Sequence, residues 1–264
     1  MHDLISITKS IRKSILMMNH QSNASHSGSC LSVVELLTCL YFEFLNIDPK
    51  NPKDENRDRF ILSKGHASAA LYATLAERGF FSKNILAKFY VDNGILPGHI
   101  DMTAAPGLEC AAGSLGHGLA IGCGMAIGLK NKKPSAKVIV IISDGELNEG
   151  SIWEPILLAP HLHLNNLTVV IDYNKIQSFG ITNEVVNLEP LTEKLVAFNW
   201  HVINIDGHNI EQIIDALNFK IDKPKAIIAN TIKGKGISFM ENKLEWHYRS
   251  PNKELLEKAL EELE

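Results

Sequence analysis

The sequence predicts one α/β domain spanning residues 1–264, with a doubly wound, mostly parallel sheet and helices on both faces. Strand-like runs rich in β-branched residues alternate with helical segments through the second half of the chain. Two of these runs, 138–142 and 167–171, are apolar without a break, which is typical of strands buried on both sides. The first half has mainly helical patterns, so we expect a long helical lead-in to the sheet.

The periodicity of apolar residues predicts the position of each element. Helical spacing in the first half predicts helices over 3–20, 31–45, 67–78, 82–93 and 115–130. Runs of β-branched residues predict strands at 137–142, 167–172, 200–205 and 225–231. Between these strands the sequence predicts helices at 150–161, 191–198 and 209–218. A polar helix is predicted after Pro251.

The composition limits the kinds of partner and compartment. A net charge of −4 and the lack of a dense Lys/Arg cluster lead us to expect neither nucleic acid nor a membrane as a partner. No apolar run approaches the ~20 residues of a membrane-spanning helix. Charges interrupt the N-terminal apolar pattern, so no signal peptide is predicted. The four cysteines form no C-x-x-C pair and are interpreted as reduced thiols in a cytoplasmic protein.

Polar side chains follow two of the buried strands. The first apolar run stops at Ser143-Asp144-Gly145, and the second stops at Asp172-Tyr173-Asn174. In an open parallel sheet, ligands bind outside the carboxyl ends of the strands. Carboxylate, amide and main-chain oxygens suit a hard cation such as Mg²⁺, and free N–H groups at the following turn suit phosphate. The pattern therefore predicts a Mg²⁺–diphosphate site, while Asp-Gly turns also occur as plain loops.

At this point the sequence resembles a known family. "SDGELNEG" followed by "DYNKI" is similar to the thiamine diphosphate fingerprint. Four further segments resemble transketolases in the family's order: "SHSGSCLSVVELLTCLYF", "DRFILSKGHASAALYATLAERGFF", "PGHIDMTAAPGLECAAGSLGHGLAIGCGMAIGLK" and "NTIKGKGISFMEN". The resemblance covers roughly residues 5 to 250. It implies the thiamin diphosphate-binding fold, and within it the diphosphate-binding domain.

The resemblance implies a role for each residue of the cofactor site. Asp144 and Asn174 would bind Mg²⁺, or another divalent cation such as Ca²⁺ or Mn²⁺, by their side chains. Ile176 would bind the same ion by its backbone carbonyl. The N–H of Gly145 and the side chain of His66 would contact the diphosphate of thiamine diphosphate.

The resemblance also implies residues at the reacting end of the cofactor. Gly113 and Leu115 of "GSLGHG" match positions that line the thiamine rings and hold the cofactor bent, which brings its amino group close to the carbon that it must deprotonate. His26 and His99 match positions that hydrogen-bond the donor ketose and move its protons, and His247 of "EWHYRS" is matched to another such histidine. Imidazole suits this work because it exchanges protons near neutral pH.

Several other polar residues have plainer interpretations. His117 stands where many family members have glutamine. Glu149 and Glu154 match positions that couple two cofactor sites across a dimer, or else they form, with Glu146, a solvated helix N-terminus. The "IKGKGIS" segment is interpreted as a solvated flexible loop rather than a phosphate-binding one. A surface position is predicted for the remaining histidines: His2, His20, His161, His163, His201 and His208.

We expect the cofactor site to be completed by a second polypeptide. The resemblance places this segment first of three transketolase domains, and the second domain supplies the glutamate that activates the aminopyrimidine. A C-terminal transketolase subunit, forming an α2β2 heterotetramer with this chain, is therefore the expected partner. The expected reaction is transfer of a two-carbon ketol unit from a ketose phosphate to an aldose.

Two other functions stay open. 1-Deoxyxylulose-5-phosphate synthase and 2-oxo acid dehydrogenases share the same Asp-Gly and Asn pattern. His99 in "PGHID" favours transketolase, because an enzyme that uses pyruvate has less need of a contact to a donor C1 hydroxyl. A non-catalytic paralogue would keep the fold without the chemistry. The argument against it is that chemically demanding residues stand at all the matching positions: His26, His66, His99, Asp144 and Asn174.

Overall fold

A computed structural model describes residues 2–133 and 135–264. Within them one parallel sheet has the strand order β1-β2-β3-β5-β4. Its strands are β1 (Arg59–Leu62), β2 (Val138–Ser143), β3 (Leu167–Tyr173), β4 (His201–Asp206) and β5 (Lys225–Asn230). The prediction of a parallel sheet is confirmed, and the predicted bounds of β2 to β5 agree with the structure to within one residue.

Helices precede the sheet and connect its strands. The lead-in helices are α1 (Leu4–Ser22), α2 (Ser27–Leu31) and α3 (Val34–Cys39), and α4 (Ser68–Arg78) follows β1. The remaining helices are α5 (Gly118–Lys132), α6 (Gly150–His161), α7 (Thr182–Val185), α8 (Leu191–Ala197), α9 (Ile210–Asn218) and α10 (Lys253–Glu261). The long helical lead-in is therefore confirmed, and α10 forms where a polar helix was predicted.

Successive side chains of the central strands point to opposite faces, and helices cover both. On one face, Ile139 and Ile141 pack into a core shared with α1 to α4, α9 and α10. On the other face, Val138, Val140 and Ile142 pack with α5, α6 and α8. A strand buried on both sides needs apolar residues at every position, which explains the unbroken run of β2. The predicted doubly wound arrangement is confirmed.

The register of the sheet brings the polar ends of the strands together. Ser143 at the end of β2 is level with Asp172 of β3, and Asp172 is level with Ala229 of β5. Because all the strands run the same way, the residues that follow β1, β2, β3 and β5 emerge at one edge of the sheet.

The structure corrects three predictions in the first half of the chain. β1 was missed, because four residues with three apolar side chains give only a short strand signal. The predicted helix 31–45 is interrupted at Ser32, whose hydroxyl donates to Asp172 at 2.7 Å, and it ends in a π-helical turn. The predicted helix 82–93 is only a 3₁₀ segment, Lys83–Lys88, because Tyr90 and Asn93 adopt positive φ angles.

Candidate active site

A cleft of about 410 Å³ lies at the carboxyl ends of the strands. Its walls come from segments that are far apart in the sequence and that the parallel sheet brings to one edge. They include every residue that the sequence assigned to metal, cofactor or substrate: His26, His66, His99, Gly113, Leu115, Asp144, Gly145, Asn174, Ile176 and His247. The grouping of these residues in one place is therefore as predicted, and their individual roles stay predictions.

Asp144, Asn174 and Ile176 form an oxygen-rich corner of the cleft. Asp144 is buried after β2, and its Oδ2 accepts hydrogen bonds from the Lys175 N–H at 2.7 Å and the Thr182 hydroxyl at 2.9 Å. The Oδ1 of Asn174, after β3, accepts the Ile176 N–H at 3.1 Å. These bonds fix both side chains. The Oδ1 of Asp144 and the Oδ1 of Asn174 each accept one hydrogen bond, so each keeps a lone pair for a further partner.

The residues of this corner fit a hard divalent cation beside a diphosphate. Carboxylate, amide and carbonyl oxygens are the ligands that Mg²⁺ and Ca²⁺ prefer. Burial, followed by the charge of Asp172, raises the pKa of Asp144. The Nε2 of Gln177, which lines the cleft, is a buried donor with no hydrogen-bond partner among the described residues. It is therefore free to donate to an anionic oxygen.

The possible metal site is not a cluster of acids and imidazoles. Within the residues that the structure describes, no group of three or more His, Cys, Asp or Glu side chains could hold a metal ion. The metal prediction therefore depends on amide and carbonyl oxygens beside a single carboxylate, Asp144.

His66 and Gly145 line the cleft after β1 and β2. A Cβ built on Gly65 would lie 2.0 Å from the carbonyl oxygen of Ala112, so only glycine lets the His66 turn approach that loop. The Gly145 N–H donates to the Oδ1 of Asp144 at 2.8 Å. A contact from this N–H to a diphosphate was predicted from the sequence and stays a prediction.

Glu146 corrects the prediction of a solvated glutamate. The side chain is fully buried and accepts hydrogen bonds from the Gly116 N–H at 3.0 Å, the Ser143 N–H at 2.9 Å and the Ser63 hydroxyl. Burial raises the pKa of Glu146, against the lowering effect of these donors. The carboxyl group ties the ends of β1 and β2 to the loop that carries Leu115 into the cleft.

Four imidazoles meet at one wall of the cleft. The ring centroid of His26 lies 4.9 Å from that of His247, 5.2 Å from that of His66 and 5.9 Å from that of His99. His26 has a φ of 71° and its N–H donates to the carbonyl of His247 at 3.0 Å. A positive φ is uncommon outside glycine, so the fold holds His26 in an unfavourable conformation that centres its ring among the other three.

Three of these imidazoles are held neutral. Burial, followed by the charge of His99, lowers the pKa of His26 to about 4. Burial, followed by the charge of Lys233, lowers the pKa of His247 to about 3. Burial also lowers the pKa of His66 well below its ordinary value. A neutral imidazole has one N–H donor and one acceptor nitrogen, so it can exchange hydrogen bonds with a sugar hydroxyl.

A buried ion pair beneath the oxygen-rich corner was not predicted. Lys64 and Asp172 have no exposed area, and the lysine Nζ lies 2.5 Å from Oδ2. The carboxylate also accepts from the hydroxyls of Ser32 and Thr231 and from the Nδ2 of Asn174 at 3.2 Å. Burial opposes ionisation, but the charge of Lys64 and these donors keep the pKa of Asp172 low. The sequence signal that could have indicated this ion pair is Lys64, the lysine that directly precedes "GHA".

The "IKGKGIS" segment is not a solvated loop, so that prediction was wrong. Lys233 is 1% exposed and lines the cleft. Its Nζ donates to the carbonyl of Ile176 at 2.9 Å and lies 3.1 Å from the Nδ1 of His247. Burial, followed by the charge of Lys64, lowers the pKa of Lys233 to about 8. Lys64 is paired with Asp172, so Lys233 is the buried lysine that gives the cleft positive charge suited to a phosphate-bearing ligand.

The remaining candidates separate into cleft and surface residues. Glu149 is exposed at the rim of the cleft, whereas Glu154 and His117 are exposed elsewhere. His208 was predicted at the surface, but its side chain is only 11% exposed and both ring nitrogens have partners. The surface prediction is confirmed for His2, His161 and His163, which are exposed, whereas His20 and His201 are half-buried.

Residues 6–257 match the family described as transketolase, thiamine diphosphate binding domain. The chain belongs to this family. Within the described residues no helix has both the length and the apolar character to cross a membrane.

Similar chains include proteins that are named as transketolase subunits. One subunit of the apulose-4-phosphate transketolase of Actinobacillus succinogenes is 42% identical, over 97% of this chain and 94% of that protein. The 6-deoxy-6-sulfo-D-fructose transketolase subunit SqwG of a Clostridium species is also 42% identical, over 96% of this chain and 94% of that protein. Human transketolase is 34% identical, and the match covers 41% of its length.

The fold matches solved transketolases. The structure superimposes on transketolase from Campylobacter jejuni with a TM-score of 0.92 and 31% identity, over 98% of this chain and 42% of that one. The chain therefore has the length of the curated subunits and spans about two fifths of the solved transketolases.

Proposed function

We propose that this chain is the N-terminal subunit of a thiamine diphosphate-dependent transketolase. Together with a C-terminal partner subunit, it transfers a two-carbon ketol unit from a ketose phosphate to an aldose acceptor. The observation that carries the proposal is that the imidazole cluster around His26 and the oxygen-rich corner at Asp144 open into one cleft.

We propose that the oxygen-rich corner holds the metal. Asp144 and Asn174 bind Mg²⁺, Ca²⁺ or Mn²⁺ through their side chains, and Ile176 binds through its carbonyl. The support is the chemistry of these oxygens and their common position beyond the strand ends. The Ile176 carbonyl also accepts from Lys233, so we expect that ammonium to turn toward the diphosphate when the ion binds.

The diphosphate is proposed to lie against the donors on either side of the ion. His66 and the Gly145 N–H contact it, and the unpartnered Nε2 of Gln177 and the ammonium of Lys233 are additional donors. Gly113 and Leu115 line the thiamine rings. A Cβ on Gly113 would lie 3.7 Å from His99, so this glycine leaves room beside the imidazole wall.

Bound thiamine diphosphate supplies a carbon nucleophile for a ketose carbonyl. The residues of this chain orient the donor and move protons on its hydroxyls. His26 and His247 are neutral at about pH 7, so each has one N–H donor and one acceptor nitrogen, and the acceptor of His247 is already used by Lys233. The Nδ1 of His247 faces the ammonium of Lys233, which can only donate, so the imidazole proton is on Nε2. His99 is exposed at the mouth of the cleft with its ring 5.9 Å from that of His26, and it would contact the donor there.

A partner subunit is proposed to cover the cleft. Both of the curated relatives at 42% identity are named as subunits of a transketolase. Phe179 lines the cleft and is 83% exposed, and Ile181 and Val186 nearby are 51% and 52% exposed. Such a group of apolar side chains beside a functional cleft is typical of a surface that another chain covers. We propose an α2β2 heterotetramer in the cytoplasm.

The experiment is a donor screen with the reconstituted two-chain enzyme. Apulose 4-phosphate, 6-deoxy-6-sulfofructose and pyruvate are offered separately with glyceraldehyde 3-phosphate, thiamine diphosphate and Mg²⁺. Xylulose 5-phosphate is offered with ribose 5-phosphate instead, because its transfer to glyceraldehyde 3-phosphate would only regenerate the starting pair. We expect turnover of at least one ketose and none of pyruvate. Turnover of pyruvate alone would contradict the transketolase proposal and favour a reaction like that of 1-deoxyxylulose-5-phosphate synthase. If the complex bound no cofactor at all, a non-catalytic paralogue would be favoured.

A further inference from the structure

The segment that carries Lys233 is anchored on both sides by side chains from outside the cleft. Upstream, the Ile232 N–H donates to the Nε2 of His208 at 2.8 Å. Downstream, the Nε of Arg12 donates to the carbonyl of Lys235 at 3.0 Å. Arg12 and His208, both in the described part of the chain, do not line the cleft. Their contacts are therefore to the backbone on either side of Lys233 and not to a ligand.

Glu35 joins the two anchors. Its Oε1 and Oε2 accept from the Nη2 of Arg12 at 2.7 and 2.9 Å, and Oε2 also lies 3.0 Å from the Nδ1 of His208. Arg12 and Glu35 are 5% and 8% exposed. Burial acts to raise the pKa of Glu35, but the hydrogen bond from His208 and the charge of Arg12 outweigh it and hold that pKa below its ordinary value. The three side chains form one buried, charged network.

The network fixes the protonation of His208. A backbone N–H can only donate, so the bond from Ile232 requires the Nε2 of His208 to be an acceptor. The proton of the neutral ring is then on Nδ1, where it donates to Glu35. Each nitrogen has one defined partner, so the two halves of this contact can be removed separately by substitution.

The backbone around Lys233 needs external anchors. Gly234 and Gly236 have φ angles of 82° and 93°, in a region that glycine enters without cost. Two such glycines leave a segment many alternative conformations once its anchors are lost. A Cβ on Gly236 would lie 2.8 Å from the Nε of Arg12, so this glycine also lets the arginine reach the backbone.

We propose that Arg12, Glu35 and His208 are positioning residues for cofactor binding, which fix the 232–235 segment so that Lys233 is aimed at the diphosphate. This inference rests on the proposed function. Preorganising the lysine avoids the cost of ordering the segment when the cofactor binds. The network therefore contributes to cofactor affinity although none of its side chains touches the cofactor.

The test compares His208→Asn with His208→Gln in the reconstituted two-chain complex. The glutamine carbonyl reaches the position of Nε2 and can accept the Ile232 N–H, but the side chain gives up the contact to Glu35. The asparagine amide reaches the position of Nδ1 and can donate to Glu35, but it leaves Ile232 without an acceptor. Affinity for thiamine diphosphate with Mg²⁺ is measured by calorimetry, and the melting temperature of each complex is measured beside it.

We expect the asparagine variant to bind thiamine diphosphate about tenfold more weakly and the glutamine variant to stay within about twofold of wild type. We expect the melting temperature to fall in both variants, because each loses one buried hydrogen bond. The loss of affinity should also disappear in a Lys233→Met background, because removing the lysine removes what the anchor positions.

Three results would overturn the inference. Equal affinities of the two variants, with the proposed function intact in the wild type, would make the network structural only. An undiminished effect of His208→Asn in the Lys233→Met background would mean that the histidine does not act through the lysine. No cofactor binding by the wild-type complex would remove the proposed function and this inference together.

A second substitution tests the same idea from the other anchor. Arg12→Lys keeps a cation beside Glu35 but lacks the Nε–H that donates to the Lys235 carbonyl. We expect a similar loss of affinity, again absent in the Lys233→Met background. This variant decides the question if His208→Asn does not fold, and unchanged affinity in it would contradict the inference.

Discussion

The side-chain amide of Asn174 donates to the carboxylate of Asp172 at 3.2 Å, so a proposed metal ligand is oriented by a buried anion of β3, the strand that precedes it. Donation through Nδ2 turns the Oδ1 of Asn174 away from Asp172. Asp172 is in turn neutralised by Lys64, with no exposed area on either side chain. The oxygen-rich corner therefore depends on an ion pair that lies beneath it.

Removing half of this ion pair is expected to destabilise the protein strongly. Asp172→Asn leaves the ammonium of Lys64 buried without a counter-charge, which costs about 3 kcal/mol or more. Denaturant unfolding measures the change. The double variant Asp172→Asn, Lys64→Met is the control and should recover part of the lost stability, because it removes the unpaired charge. A single variant as stable as wild type would mean that the pair is dispensable.

Two glycine substitutions distinguish a glycine that is required by a close backbone contact from a glycine that only lowers helix propensity. Gly65→Ala places a Cβ against the carbonyl of Ala112, at 2.0 Å, and we expect a loss of about 3 kcal/mol with His66 displaced from the cleft. Gly124→Ala in α5 meets nothing within 4 Å and should stabilise the helix by up to ~1 kcal/mol. Thermal unfolding of both variants checks this, and similar effects in the two would refute the role given to Gly65.

Glu35 should contribute to the free energy of unfolding near neutral pH, and this contribution should be lost in acid. Its pKa is lower in the folded chain than in the unfolded chain. Its stabilising contribution is therefore present above the unfolded pKa and is lost as the pH falls through the folded pKa. In Glu35→Gln, the free energy of unfolding should be lower at about pH 7 and should decline less below about pH 4.5. Parallel pH profiles of variant and wild type would contradict this.

On the acid side, kcat/KM should fall at a pH below the ordinary pKa range of histidine. Burial lowers the pKa of His26 to about 4 and that of His247 to about 3. Both rings then stay neutral through about pH 6.5, where an ordinary histidine gains a proton. We expect kcat/KM of the two-chain enzyme to fall only near about pH 4 to 5, within the range where melting temperatures show it folded. An acid limb near about pH 6.5 would mean that these imidazoles are not held neutral.

The sequence predicted the ends of β2 and β3 because unbroken apolar runs that stop at Ser143-Asp144 and at Asp172-Tyr173-Asn174 are a local signal. The buried charges escaped prediction for the opposite reason. Lys64, Glu146 and Lys233 stand in polar, glycine-containing segments that look solvated, and only the assembled fold gives each its buried partners. The positive φ of His26 likewise depends on contacts with the distant His247, which no local pattern encodes.

The most direct test of the whole account is calorimetry of thiamine diphosphate binding with Mg²⁺. The wild-type chain is measured alone and with its C-terminal partner, and Asp144→Ala is measured in the same complex. We predict tight binding only in the wild-type complex, with an affinity at least about 100-fold lower in Asp144→Ala, or ~2.7 kcal/mol. Tight binding by the single chain, or unchanged binding by Asp144→Ala, would contradict a cofactor site shared between two subunits and centred on this carboxylate.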